Sequence, residues 1–318
     1  MSVGWVVVRG VWRAVSVAAV GILLTASSGS AEPPETPAEP LRVVTFNLFH
    51  GGPASGLVGD GWGLEERLAM TIVQLQRLRA DVIALQEASI GRGRGNIAAR
   101  IGRELGYHVA QAPASERVFA GWFLGRALGW LGTVVINFNE GPAVLSRWPI
   151  VDRQVVDLHC SRRLMDPRVL LRVEIETPGG RLRIYSTHAS GEACELERIE
   201  DVVRAQRGAW PALVMGDLNE TEQFPALARF TTRAGFTDAF RAANPGDAGY
   251  TDLQQPGAPG PTVSRRYDYV FLVPSTQGRG TVLDSRVVLN EPRRHADGTT
   301  VWPSDHYGVL AELDLPRR

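Results

Sequence analysis

Residues 182–219 read LRIYSTHASGEACELERIEDVVRAQRGAWPALVMGDLN. Their apolar spacing divides them into strand, helix and strand. Residues 182–187 form a strand that runs straight into His188, and residues 193–206 carry helical periodicity. Residues 212–215 are apolar without a break, the mark of a strand buried on both faces, and they lead through Gly216 to Asp217 and Asn219.

The same alternation extends outward on both sides. Residues 41–46 are expected as a strand. Residues 64–78 place Leu64, Leu68, Ile72, Leu75 and Leu78 on one helical stripe. Residues 81–86 form a second buried strand, and 96–105 a helix capped by Asn96. Strands follow at 141–146 and 169–175, the latter joined to the 182–187 strand by a hairpin turn at Pro178-Gly179-Gly180. A helix at 225–233 and strands at 268–273 and 308–313 complete the pattern. Helices between some strands and hairpins between others predict mixed sheets with the helices outside.

Polar residues fall at the ends of these strands. The first apolar run leads into Asn47, the second into Glu87, the third into His188, and the fourth into Asp217 and Asn219. Strand ends hold side chains more precisely than loops do, and four such ends can converge at one edge of a sheet. The residue types suit phosphoester hydrolysis. A carboxylate such as Glu87 suits a hard oxygen-seeking Mg2+ ion, which neutralises charge on a phosphate. An Asp or His held by a second group can deprotonate water, and Asn and His can donate to phosphoryl oxygens. Later in the chain, Arg266-Tyr267-Asp268 opens a strand with a carboxylate, and Ser304-Asp305-His306 precedes the last strand. An Asp bonded to a His fixes its tautomer and supports its charge, a service Asp268 can give His306.

In order, TFN (45–47), LQE (85–87), STH (186–188), GDLN (216–219), RYDYV (266–270) and SDH (304–306) resemble the endonuclease/exonuclease/phosphatase superfamily. This is the deoxyribonuclease-I-like group that includes neutral sphingomyelinases and inositol-polyphosphate 5-phosphatases. The resemblance covers residues 41–315. It implies an α/β fold, a four-layer sandwich of two mixed sheets flanked by helices, and a metal-dependent phosphoric ester hydrolase using Mg2+, with Mn2+ as the alternative ion. It also implies roles. Asn47 and Glu87 lie on the metal side, with Glu87 the principal ligand and Asp305 a second ligand. His188 donates to the phosphate, and Asn219 positions it. Asp217 orients or deprotonates the attacking water. Asp268 orients His306, which acts on the phosphate or as the base, so Asp217 and His306 both remain candidates for that proton transfer. GDLN where GDFN is common, and Tyr267 where an aliphatic residue is usual, depart mildly from the family pattern without touching these roles.

The 318 residues include 34 Lys+Arg and 34 Asp+Glu. With no basic excess, the chain does not look built to grip long nucleic acid by many phosphates. Arg9 and Arg13 precede an apolar run at 14–26 and small residues through Ala31, which predicts a secretory signal peptide cleaved after Ala31, with an uncleaved anchor as the other reading. A Pro-rich tether at 32–40 and one domain at 41–318 follow. Export, secreted or periplasmic, is expected. Cys160 and Cys194, the only cysteines, are either one disulfide or two buried thiols.

Residues 118–131, VFAGWFLGRALGWL, are either a buried helix at the core's rim or an apolar flap beside the site that meets a lipid surface. A lipid or small phosphodiester is therefore the favoured substrate. An extracellular nuclease acting on polymeric nucleic acid, or a catalytically silent scaffold, are the alternatives. A monomer is expected. His50, just past Asn47 and beside Gly51-Gly52, is either a cleft-lining residue or a loop histidine, and the loop reading is the one expected.

Overall fold

Strand β1 (Leu41–Asn47), helix α1 (Leu64–Leu78) and strand β2 (Val82–Gln86) form a unit in which the two strands pair in parallel. The unit β9 (Gly180–His188), α3 (Ala193–Ala205), β10 (Ala212–Asp217) has the same construction, again with a parallel strand pair. Each pair sits inside a six-stranded sheet whose other pairings are antiparallel.

Sheet one has the order β13-β16-β1-β2-β6-β5, drawing on β5 (His108–Gln111), β6 (Ala143–Ser146), β13 (Thr281–Val288) and β16 (Gly308–Asp314). Sheet two has the order β11-β12-β10-β9-β8-β7, drawing on β7 (Ile150–Asp157), β8 (Val169–Thr177), β11 (Thr237–Asp238) and β12 (Asp268–Val273). The computed structural model describes Met1 and residues 39–50, 63–91, 94–114, 139–158, 168–209, 211–276 and 278–316. The expected signal peptide, tether residues 32–38, Cys160 and the apolar segment 118–131 lie outside the described residues.

The period of two along each strand builds three cores. Val43 of β1 and Val82 and Ala84 of β2 meet Leu213 and Met215 of β10 and Ile184 of β9 between the sheets. Val44 and Phe46 of β1, with Ile83 and Leu85 of β2, face outward onto Leu64, Leu68 and Leu75 of α1 and onto Ile97 and Ile101 of α2 (Ile97–Leu105). On the far side, Val214 and Tyr185 receive Leu196, Ile199 and Val203 of α3 and Leu227 and Phe230 of α4 (Pro225–Thr232). The layers run helix, sheet, sheet, helix, the four-layer sandwich expected. Full burial of each Leu or Met between the sheets stabilises the fold by roughly 1.5–3 kcal/mol, so the two sheets are held face to face mainly by apolar burial.

Local signals act as anticipated in several places. The Asn96 side chain accepts from Ala99 N and caps α2, and Gly106 ends that helix at φ 71°. The 178–179 turn joins β8 to β9. The sequence pattern does not single out β5, β7 and β13, nor the two-residue strands β3 (Ile90–Gly91), β4 (Gly95–Asn96), β11, β14 (Arg293–Arg294) and β15 (Thr300–Val301). β7 reads IVDRQVVD and β13 TVLDSRVV, so charged and apolar residues share their faces and the two-residue period is blurred. Both lie at the outer margin of a sheet, where one flank needs no apolar cover.

Candidate active site

The polar residues at the strand ends meet, but not along the edge of a single sheet as the strand pattern suggested. Asn47 and Glu87 come from sheet one, and His188, Asp217 and Asp268 from sheet two. Strands β1 and β10 pack against each other across the interior. The site therefore sits where the ends of both parallel pairs coincide.

Register fixes the second half. Asp217 is paired with His188 on one side and Asp268 on the other. This close lateral packing explains Gly216, since a Cβ there would stand 2.0 Å from Thr187 O, and its φ of 152° suits glycine. Glu87 and Asn219 follow their strands with left-handed backbones, φ 53° and 52°. That turn is uncommon for residues other than Gly, Asn and Asp, and here it redirects two chemically important side chains.

Asp217 is fully buried and central. Its Oδ2 accepts from Asn47 Nδ2 at 3.0 Å, its Oδ1 from Asn219 N at 2.9 Å, and His306 Nε2 stands 3.6 Å from Oδ2. Burial pushes its carboxyl up to about 7, with the His306 charge opposing and Asp268 adding to the rise. Burial pulls the His306 imidazolium the other way, but Asp268, 2.9 Å from Nδ1, and Asp217 outweigh it and hold His306 well above its usual value. The structure thus brings Asp268 to His306 as expected. It adds a third carboxylate, Asp252, whose Oδ1 lies 3.3 Å from His306 Nε2. His306 is further fixed by Ser304, whose Oγ accepts from His306 N and donates to Asn47 O at 2.7 Å.

His188 behaves differently. Burial and the neighbouring Arg168 charge lower it to about 3, with Glu87 opposing, so it is neutral. The Asn219 amide nitrogen stands 3.1 Å from His188 Nε2 and donates to Ala189 O at 2.9 Å. An amide nitrogen only donates, so Nε2 is the acceptor and the His188 proton lies on Nδ1, 3.9 Å from Glu87 Oε1.

On the metal side, Asn47 Nδ2 also donates to Glu87 Oε1 at 3.1 Å, while Asn47 Oδ1 accepts from Phe49 N. Burial opposes the Glu87 charge, but His50, the hydrogen bond from the Asn47 amide and the cationic His306 hold its carboxyl below the usual range. Asp305 shares this space. Burial pushes it up to about 6, with His306 opposing and Glu87 and Asp252 adding.

His50 is not a marginal loop histidine. It is buried, and its Nε2 lies 3.0 Å from both Glu87 Oε2 and Glu140 Oε2. Among the described residues, His50, Glu87 and Glu140 form one group with the spacing to hold a metal ion, and Asp217, Asp268 and His306 form another. In the second, the 2.9 Å His306–Asp268 contact is an ordinary charged hydrogen bond. The first is an anionic and imidazole donor set around a residue held ionised, and it fits a divalent cation. Neither Glu140 nor Asp252 was anticipated. A signal for Glu140 did exist. β2 and β6 are antiparallel neighbours, with Leu85 opposite Ala143 and Ala88 N donating to Gly141 O, so the short segment before β6 that includes Glu140 returns beside the residues following β2.

One further buried residue organises the site's loops. Arg67 of α1 is 1% exposed and donates to Leu48 O at 3.0 Å, Phe49 O at 2.6 Å and Pro303 O at 3.4 Å, with its guanidinium 4.9 Å over the Phe49 ring. It joins the segment carrying His50 to the segment carrying His306. Cys194, at the start of α3, is disulfide-bonded.

A model of the Endonuclease/Exonuclease/phosphatase family matches residues 44–306, from β1 to the final histidine. The chain belongs to this family. Among solved structures, a mannosyl-6-phosphatase from Bacteroides thetaiotaomicron is similar at 18% identity and a TM-score of 0.62, covering 86% of this chain and 99% of that one. Truncated TDP2 from Caenorhabditis elegans is similar at 18% identity and a TM-score of 0.60, covering 86% and 97%. An endonuclease/exonuclease/phosphatase from Beutenbergia cavernae is similar at 23% identity and a TM-score of 0.58, covering 87% of this chain and 72% of that one. These likenesses establish the endonuclease/exonuclease/phosphatase fold. No curated protein matches the chain. In this family setting, the members of the site from Asn47 to His306 all fall within the matched span, His50, Glu140 and Asp252 included.

Proposed function

We propose that the chain is an exported, divalent-metal-dependent phosphoesterase that hydrolyses a phosphodiester or phosphomonoester with an activated water. The observation that carries the proposal is the double hydrogen bond of Asn47, which places the anionic Glu87 and the proton-accepting Asp217 on either side of one amide. A cation ligand and a base set this close together can act on the two sides of one phosphorus centre.

Glu87 would hold the cation, which when bound neutralises and polarises the phosphoryl oxygens. Asp217, in its ionised form, takes the proton of the attacking water, because its pKa near neutrality lets it both accept and release that proton. His306, kept cationic by Asp268, stabilises the charge that develops on the phosphoryl group. Asn219, by donating to His188 Nε2, keeps the His188 proton on Nδ1, where it is a donor toward a phosphate oxygen on the Glu87 side. Asp305 supplies a further carboxylate on the metal side.

The neutral charge balance and the aromatic segment 118–131 support a lipid or small phosphoester over polymeric nucleic acid. The mannosyl-6-phosphatase likeness keeps a phosphomonoester within the class. The Arg-flanked apolar run before Ala31 supports export, and a monomer suffices for the site because one chain provides every residue in it. The test is a panel of sphingomyelin, phosphoinositides, plasmid DNA, RNA and a chromogenic phosphodiester, each with and without chelator. Chelator-sensitive turnover of the lipid or small diester is expected. Turnover confined to DNA or RNA would replace this substrate class with a nuclease's, and no turnover of any substrate would leave a binding scaffold.

A further inference from the structure

We propose that His50 and Glu140 join Glu87 as ligands of the resident divalent cation, and that the imidazole among them makes the site favour Mn2+ over Mg2+. The inference deepens the metal-dependent reading above and rests on it.

The geometry argues for a cation among these three side chains. One imidazole nitrogen carries at most one proton, yet His50 Nε2 has two carboxylate oxygens, Glu87 Oε2 and Glu140 Oε2, each 3.0 Å away. A single N–H serves both only as a bifurcated bond, bent and weaker toward each. Octahedral ions with bonds of about 2.1 Å set adjacent donors about 3.0 Å apart, because the separation is the bond length times the square root of two. The donor spacing found here is therefore the spacing that neighbouring ligands of one such ion would have. In the other acidic group the nitrogen that faces two carboxylates, His306 Nε2, stands 3.3 Å from Asp252 and 3.6 Å from Asp217, longer than neighbouring ligands of such an ion, and Nδ1 engages Asp268 at 2.9 Å.

The three side chains are also held in place. His50 N donates to Glu87 Oε2 at 3.2 Å, and the Arg67 bonds to Leu48 O and Phe49 O anchor the preceding residues. Glu140 is brought in by its neighbours. Asn139 and Ile90 exchange backbone hydrogen bonds of 2.7 and 3.1 Å, Ala88 N donates to Gly141 O, and Ala114 N donates to Glu140 O. Glu140 is thus tied to the segment that follows Glu87 through main chain, so its position does not depend on a flexible side chain finding Glu87.

The donor set has a chemical consequence. Mg2+ takes oxygen ligands and gives up its waters reluctantly. Imidazole suits first-row transition ions, whose affinity for nitrogen and oxygen donors begins with Mn2+ and rises along the row. Two carboxylates keep the site hard enough for Mn2+, while the nitrogen penalises Mg2+.

The experiment is Mn2+ binding to the chelator-stripped full chain, followed by electron paramagnetic resonance and electron spin-echo envelope modulation, with Mg2+ as competitor. Nitrogen modulation on the bound Mn2+ is expected, along with tighter binding of Mn2+ than of Mg2+ in competition. In His50→Gln the nitrogen modulation disappears and the preference for Mn2+ collapses. Glu140→Gln weakens Mn2+ binding while retaining the nitrogen signal, which keeps the test decisive where His50→Gln does not fold. Bound Mn2+ without nitrogen modulation, modulation that survives in His50→Gln, or unchanged binding in Glu140→Gln would each overturn the assignment. Chelator-sensitive phosphoester turnover with no nitrogen on the ion sinks this inference alone. A nitrogen-ligated Mn2+ in a chain that turns over no phosphoester sinks the functional proposal instead.

Discussion

Asn47 and Asp217 lie 170 residues apart in the chain and on different sheets, yet Asn47 Nδ2 donates to Asp217 Oδ2 at 3.0 Å. The same nitrogen donates to Glu87 Oε1. Asn47→Ala leaves the two carboxylates facing each other with no amide between them. A fall in kcat of about 10–100-fold is expected, with weaker metal binding, since loss of an orienting partner has effects of this size. Steady-state kinetics beside a metal titration check it, and wild-type kcat would show that the amide does not couple the two halves.

Asp217→Asn removes the proton acceptor while keeping its shape and its bond to Asn219 N. General-base loss of this kind costs about 10²–10⁴-fold in kcat. Because burial raises Asp217 to about 7, the wild-type rate climbs as pH rises through about 7, where the carboxyl loses its proton, and falls only at more alkaline pH, where His306 loses its own. Initial rates from pH 5 to 9 measure this. A rising limb complete by pH 5 would assign the base to another group.

Asp268→Asn tests the support of His306. The Asp268 carboxylate raises the His306 pKa, so without it the imidazolium loses its proton at a lower pH. The falling alkaline limb of the rate profile shifts toward acid in the variant. An unmoved alkaline limb would mean that His306 protonation does not limit the rate.

Gly216→Ala forces a Cβ against Thr187 O, 2.0 Å away on the adjacent strand. Relief requires β9 and β10 to separate, and overpacking of this kind costs roughly 1–3 kcal/mol. Urea denaturation reads the loss, and activity should fall further than stability because the register of Asp217 with His188 depends on the same contact.

Arg67→Met keeps an apolar side chain of similar reach but deletes the guanidinium over Phe49 and its donors to Leu48 O and Phe49 O. Buried carbonyls lose charged donors, and a destabilisation of roughly 1.5–3 kcal/mol follows. Chemical denaturation would show it, and an unchanged midpoint would mean that the two loops are held by other contacts.

The extent to which the sequence foretold this structure depended on how cleanly each segment repeats. β1, β2 and β10 are near-continuous apolar runs, β9 alternates, and α1 and α3 keep the 3.6-residue pattern, so both parallel units could be read directly. β7 and β13 mix Asp, Arg, Val and Leu on exposed margins, where no period is enforced. Asn47, Glu87, His188 and Asp217 were visible because each terminates an apolar run. His50, Glu140 and Asp252 were not, because each stands in irregular chain whose position is set by pairing elsewhere, such as the antiparallel return of β6 beside β2. The convergence of two sheets at the site was likewise beyond reach, since strand patterns give the faces of a sheet and not which sheet each strand joins.

The apolar contact between Val43 and Val82 of sheet one and Leu213 and Met215 of sheet two has a mechanical meaning for this molecule. Each layer carries one half of the reactive assembly, and interdigitated side chains, with the Arg153 bonds to Gln111 O at one margin, set how the layers lie on each other. A displacement of about half an ångström along the strands, the tolerance of a productive site, would already lengthen the Asn47–Asp217 bond. Turnover should therefore fail under mild pressure, cosolvent or interior trimming well before the chain melts, which makes catalytic rate a more sensitive gauge of sheet alignment than any melting curve.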